Sequence, residues 1–310
     1  MGLLLSSAGL VGLMYGVIRA GTAGWATAAV LGPIGAGVSV LALFAAWEAR
    51  LSRRRHGTPL VDVALFSSSR FTWGVLLTAF GALSLFGVMF TLPQYFEAVR
   101  ALTAEGAGMR LLPVIGGLVV GAVPADRLAS RAGTKITVAV GFAVIAVGLG
   151  LGTSMTVHSA GAFTDMWTFL TGLGAGLAFA TAASAAVVEL SPASSGVGSA
   201  LLQAVTKLGP AFGAAVLGSV LNASYRSTLH VAGVPAALAS AARSSVFVAL
   251  AVAQGQGSSP LAASARAAFV HGVNSATLLA LALAAAAVVL ALVFLPTRRA
   301  AAQASRSGSA

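Results

Sequence analysis

Eight stretches of about 16 to 26 residues, almost free of charge, run through the chain. An α-helix rises about 1.5 Å per residue, so roughly 20 apolar residues cross a hydrocarbon core about 30 Å thick. Within that core every backbone N–H and C=O has to be satisfied inside the protein. The stretches are too long and too little alternating for the strands of a membrane barrel. The sequence therefore predicts an all-α membrane protein, a polytopic bundle of about eight transmembrane helices. The spans fall at residues 2–18, 27–47, 71–92, 108–123, 136–155, 167–187, 198–221 and 269–294.

Charge explains how such a bundle is oriented. Only 8% of the residues are charged, against about 25% in a soluble domain, yet the net charge is +11. The basic residues sit in short loops between apolar runs, which reads as membrane topology and not as nucleic-acid binding. Arg50, Arg53, Arg54, Arg55, Arg70, Arg127, Arg131, Lys135, Arg298, Arg299 and Arg306 share one side of an eight-span chain. Arg19, Arg100, Arg110, Arg226, Arg243 and Arg266 share the other. By the positive-inside rule both termini are expected in the cytoplasm, with the chain in the plasma (inner) membrane. Trp25, Trp47, Trp73 and Trp167 fall at expected interfaces, where an amphipathic ring prefers to lie. Residues 222–268 read as one long outside loop carrying one or two short amphipathic helices.

Glycine and proline shape the spans. Gly117 and Gly121, Gly172 and Gly176, and Gly209 and Gly213 are each four apart, a spacing that lets helix backbones approach closely in lipid. Pro93, Pro113 and Pro210 lie in or near the third, fourth and seventh spans and are expected to kink them.

The seventh span holds the one cation placed deep in an apolar segment. Ser199, Gln203 and Lys207 recur at i, i+4 and i+8, with Thr206 beside them, so they form one polar stripe on a helix. Lys207 is about nine residues into the span, about 14 Å deep. A lysine at mid-bilayer costs about 2.5–3.5 kcal/mol on insertion scales and usually faces a cavity or the bundle interior. The alternative is a lysine that snorkels to the interface. Glu97, Glu105 and Glu189 read as solvated loop carboxylates, and His230 and His271 are too isolated for a metal site. There is no cysteine, which removes disulfides, thiolate nucleophiles and cysteine–metal sites. Phosphate loops, paired carboxylates and hydrolytic triads do not stand out, so neither an enzyme nor an ATP-driven machine is supported, and no cofactor is expected.

The segment Pro124-Ala125-Asp126-Arg127-Leu128-Ala129-Ser130-Arg131-Ala132-Gly133-Thr134-Lys135 reads as a tight cytoplasmic turn between the fourth and fifth spans. It resembles the Gly-x-x-x-Asp-Arg-x-Gly-type loop of the major facilitator superfamily. Pro59-Leu60-Val61-Asp62-Val63-Ala64-Leu65-Phe66 with Arg70-Phe71, and Leu92-Pro93-Gln94-Tyr95, are similar to segments of its fourteen-span drug:proton antiporters. So are Glu105-Gly106-Ala107-Gly108-Met109-Arg110-Leu111-Leu112-Pro113, Gly172-Leu173-Gly174-Ala175-Gly176-Leu177-Ala178-Phe179 and Ala268-Phe269-Val270-His271-Gly272.

The resemblance implies two linking helices over residues 1–56, a C-terminal six-helix domain over 57–296 and a basic tail over 297–310. It also implies that the N-terminal six-helix domain, with the carboxylates usually assigned to proton coupling, lies outside this sequence. Spans three to five and six to eight would be two inverted three-helix repeats. The implied activity is efflux of amphipathic or cationic drugs by proton antiport with alternating access. Gln94, Tyr95, Ser199, Gln203, Thr206 and Lys207 are the candidates for the transport path, and Asp126, Arg127 and Arg131 for a cytoplasmic gating loop. Gln203, Thr206 and Lys207 vary a pattern that the family often fills with Asn, Arg and Gln. The expected partners are the bilayer, a small organic substrate, a proton, and a missing N-terminal half, second copy or partner subunit. The rival reading is a non-transporting truncated product or a membrane scaffold.

Overall fold

The computed structural model of the chain describes residues 2–52, 69–188 and 195–295. The Pro59–Phe66 segment, Glu189 and the tail at 297–310 lie outside the described residues. Among those described, helices carry the fold: α1 (Gly2–Ala23), α2 (Ala28–Ser52), α3 (Ser69–Ala98), α4 (Ala104–Met109), α5 (Leu112–Ala122), α6 (Ala125–Ala132), α7 (Thr134–Gly152), α8 (Gly161–Val188), α9 (Ser195–Thr228), α10 (Ala236–Ala242), α11 (Val246–Gly255) and α12 (Ser259–Phe294). Among the described residues, six segments are long and apolar enough to cross a membrane: α2, α3, α4 with α5, α7, α8 and α12. The apolar part of α1, Leu4–Ala20, is shorter, and α9 is the least apolar of the long helices. Both pack among the other six, so the eight expected spans correspond to eight helical segments of one multi-pass bundle.

The packing repeats across the bundle. α5 lies on α8 as α9 lies on α3, and α7 lies on α8 as α12 lies on α3. The pairs α3–α8 and α7–α12 close the centre. Small residues make these contacts possible. A Cβ on Gly117 or Gly121 would run into the backbone of α8 at Phe169 and Leu173, and one on Gly172 or Gly176 into the backbone of α5 at Val114 and Leu118. Gly213 faces Leu83 O on α3, which an added Cβ would approach to 2.6 Å. On α12 the buried face is mostly alanine, with Ala276, Ala280, Ala284, Ala287 and Ala291 fully enclosed. Without a hydrophobic drive between helices in lipid, such close backbone approach supplies the association.

Buried hydroxyls are satisfied locally. Thr78, Thr137, Thr171, Thr181 and Thr277 each donate to the carbonyl four residues back, at 2.8–3.0 Å. They therefore present no free donor to a ligand.

Several expectations need correction. Trp167 is fully buried, its ring packed over Gly152, and is a core residue and not an interface anchor. Pro113 does not kink a helix: it stands in the first turn of α5, where a missing N–H is tolerated, and the fourth span is broken just before it, at Arg110-Leu111. Pro93 and Pro210 are inside α3 and α9. The segment 124–135 is not a plain turn, because Ala125–Ala132 forms the helix α6. The outside loop is shorter than 222–268, since α9 runs on to Thr228 and α12 begins at Ser259. Of its two short helices, α11 is apolar on nearly every face.

Candidate functional site

The polar stripe survives in the fold as an exposed pair. Gln203 and Lys207, one helical turn apart on α9, are both exposed, and neither bonds to another described residue. Thr206 beside them is half-buried. Ser199 lies on α9, but its side chain falls outside the described residues. The level of the pair follows from α1 and α2. Met14, Val17 and Ile18 of α1 meet Ala211, Phe212 and Ala215 of α9. Trp25, in the turn after α1, donates from Nε1 to Ser219 Oγ at 3.0 Å. A tryptophan so placed marks a membrane interface. Lys207 is twelve residues along α9 from Ser219, about 18 Å along the helix axis. The hairpin thus covers α9 at 211–219 and leaves the pair open.

Gln94 and Tyr95 do not join this pair. α3 and α9 run side by side in the same direction, with Ala82 against Gly209 and Gly87 against Gly213 and Leu217. By that register Gln203 and Lys207 lie beside the first half of α3. Tyr95 is about 16 residues farther along, or about 24 Å. Gln94 turns back on its own helix, donating from Nε2 to Phe90 O at 3.0 Å. Tyr95 is buried and packs edge-on to Phe96, and its hydroxyl donates to Thr156 O at 3.3 Å.

Three long-range polar contacts at that end escaped the sequence reading. Asn274 on α12 donates from Nδ2 to Met155 O at 2.8 Å, so Tyr95 and Asn274 grip adjacent carbonyls in the α7–α8 connection. Arg110, at the break between α4 and α5, donates from Nη1 to Asp165 Oδ2 on α8 at 2.7 Å. Gly161 lets the guanidinium lie flat, since a Cβ there would come within 2.8 Å of Nη1. Asp165 Oδ1 and Asn274 Oδ1 are buried with no hydrogen-bond partner. The sequence signal was an acid two residues before the sixth span, 55 residues from its basic partner.

At the opposite end, Asp126, Arg127 and Arg131 are all exposed on α6. Asp126 occupies the first turn, where a carboxylate favours the helix dipole, and Arg131 the last, where a cation does. Neither makes an ion pair with a described residue. Gly133 joins α6 to α7 at φ +89°, ψ 151°, a backbone setting that essentially only glycine takes. Among the described residues no group of three or more His, Asp or Glu side chains could hold a metal.

No protein-family model matches the chain. Similarity to curated proteins is extensive. The chain is 30% identical over 223 residues to the tetracenomycin C resistance and export protein of Streptomyces glaucescens, covering 72% of this chain and 40% of that protein. It is 29% identical over 233 residues to the multidrug efflux pump LfrA of Mycolicibacterium smegmatis, covering 74% and 46%. It is 30% identical over 242 residues to the cephamycin export protein CmcT of Amycolatopsis lactamdurans, covering 77% and 48%. These relatives are drug and antibiotic resistance export proteins of the drug:proton antiporter type of the major facilitator superfamily, and the match is consistent with a C-terminal portion. It spans less than half the length of these relatives.

Proposed function

We propose that the chain is the C-terminal part of a drug exporter, in which α9 presents Gln203, Thr206, Lys207 and Ser199 to the transport path. The observation that carries this reading is the exposed Gln203–Lys207 pair on an otherwise apolar bundle; with Trp25 taken as the interface, Lys207 comes about 18 Å below it, near mid-membrane. Lipid is a poor cover for it, because both side chains would lack partners in hydrocarbon. A second six-helix unit, supplied by a longer polypeptide, another copy or another chain, would enclose the pair at an aqueous interface. The relatives are named as exporters, which favours transport over an enzymatic role.

The substrate class is amphipathic or cationic organic compounds, exchanged for protons by alternating access. The chain divides at 1–56, 57–296 and 297–310, with the repeats α3–α5–α7 and α8–α9–α12 supported by their matching contacts. Both termini face the cytoplasm of a plasma-membrane protein, and α6 with Asp126, Arg127 and Arg131 forms the cytoplasmic gating element. Tyr95 takes a different part from the one its motif suggests: it positions the α7–α8 connection.

The test is Lys207→Leu in the host membrane, read as efflux of a fluorescent cationic dye alongside protein abundance. Dye efflux should fall while abundance stays within about twofold, because the substitution removes a costly charge and no packing contact. Unchanged efflux at unchanged abundance would overturn the assignment.

A further inference from the structure

α11 and the start of α12 line an open cleft of about 590 Å³. Phe247, Leu250 and Ala251 of α11 give it an apolar lining, and Arg266 of α12 lines it as well. Arg266 is the one charged residue in the lining; there is no carboxylate. Its Nε is buried without a hydrogen-bond partner. That nitrogen is closed off from the cleft, but a guanidinium lining it with no carboxylate beside it makes the site complementary to an anion. The neighbouring hydroxyl of Ser258, which accepts from Leu261 N as the cap of α12, carries no charge to neutralise Arg266.

Depth and surroundings select the kind of anion. α12 is 36 residues long, well over what a hydrocarbon core needs. Arg266 is 28 residues from Phe294, about 42 Å along the axis, and level with the headgroup layer once ordinary tilt is allowed for. α11 leaves Phe247 at 42% and Val248 at 37% exposed, an apolar surface that suits a helix lying in the interface. A water-soluble anion would use Arg266 but not the apolar wall. A neutral lipid would use the wall and leave the guanidinium unpaired.

We propose that this cleft binds an anionic phospholipid, with the phosphate on the Arg266 guanidinium and an acyl chain along Phe247, Leu250 and Ala251. The site is separate from the α9 stripe and does not depend on the transport reading. The test is native mass spectrometry of the full chain released from detergent micelles containing equal phosphatidylglycerol and phosphatidylcholine. The wild type should retain phosphatidylglycerol over phosphatidylcholine by about fivefold, the preference one interfacial arginine supplies. Arg266→Gln should reduce that preference to about unity, whereas Arg243→Gln, an exposed arginine outside the cleft, should leave it unchanged. Ala251→Trp, which fills the cleft but keeps the charge, should also lose it, and covers the case in which Arg266→Gln does not fold. Equal retention of both lipids by the wild type, or equal loss in Arg243→Gln, would overturn the proposal. So would complete displacement of phosphatidylglycerol by an equal amount of oleate, which would make the ligand any anionic amphiphile.

Discussion

Single residues in this bundle owe their roles to partners distant in sequence. Arg110 and Asp165 are the plainest case, a charge pair with side chains 42% and 32% exposed that ties the α4–α5 break to α8. Exposed pairs of this kind contribute about 0.2–1 kcal/mol after screening. A double-mutant cycle with Arg110→Gln and Asp165→Asn, read by SDS or thermal unfolding, should give a coupling in that range. A coupling of zero would mean that the contact holds nothing. Gly133 makes a sharper case. At φ +89° an added Cβ is strained whatever the space around it, so Gly133→Ala should destabilise by about 1–3 kcal/mol. No loss in unfolding free energy would show that the α6–α7 joint adapts. Neither residue was fully legible in the sequence: the glycine's place in the motif was visible, but Asp165 had no local partner to mark it. The contact of Tyr95 was hidden for the same reason, since a motif fixes a residue type and not the carbonyl, 61 positions away, that its hydroxyl meets.

At the scale of elements, the sequence spoke most clearly where one property decides the outcome. Span length is such a property, and the eight apolar runs became eight helical segments because lipid admits few other backbone solutions. Glycine spacing is another: Gly117 and Gly121 lie on the α8 backbone at Phe169 and Leu173, and Gly172 and Gly176 on the α5 backbone at Val114 and Leu118, with almost no room for side chains. Adjacent glycines on α5 test this directly. Gly117→Ala forces a methyl into Phe169 O and should cost about 1–3 kcal/mol, whereas Gly116, with nothing within 4 Å of its added Cβ, should accept alanine at no loss. Equal thermal unfolding of the two variants would contradict the α5–α8 register. Element ends were harder to read. Residues 259–268 are small and polar enough, with Arg266 among them, to resemble a loop, yet they extend α12 because Leu261, Ala265 and Ala268 bury one helical face. Trp167 likewise looked like an interface ring until packing against α7 enclosed it.

For the whole molecule, the proposed topology sets Ser130 on the opposite side of the membrane from Ser227. Because the sequence has no cysteine, Ser227→Cys should react with an impermeant thiol reagent added to intact cells and Ser130→Cys should react only after permeabilisation. Outside labelling of Ser130→Cys would invert the orientation. The central claim is that α9 turns its polar face to an aqueous path and not to lipid. It is tested most directly by the labelling rate of Lys207→Cys with a small water-soluble thiol reagent in the host membrane. The reference is Val140→Cys, at an apolar position on α7 that is 43% exposed. Two positions that are both exposed in the bundle should then part into two environments, with Lys207→Cys reacting at least about tenfold faster, since a thiol reacts as thiolate and hydrocarbon suppresses it. Labelling of Lys207→Cys as slow as that of Val140→Cys would contradict the account.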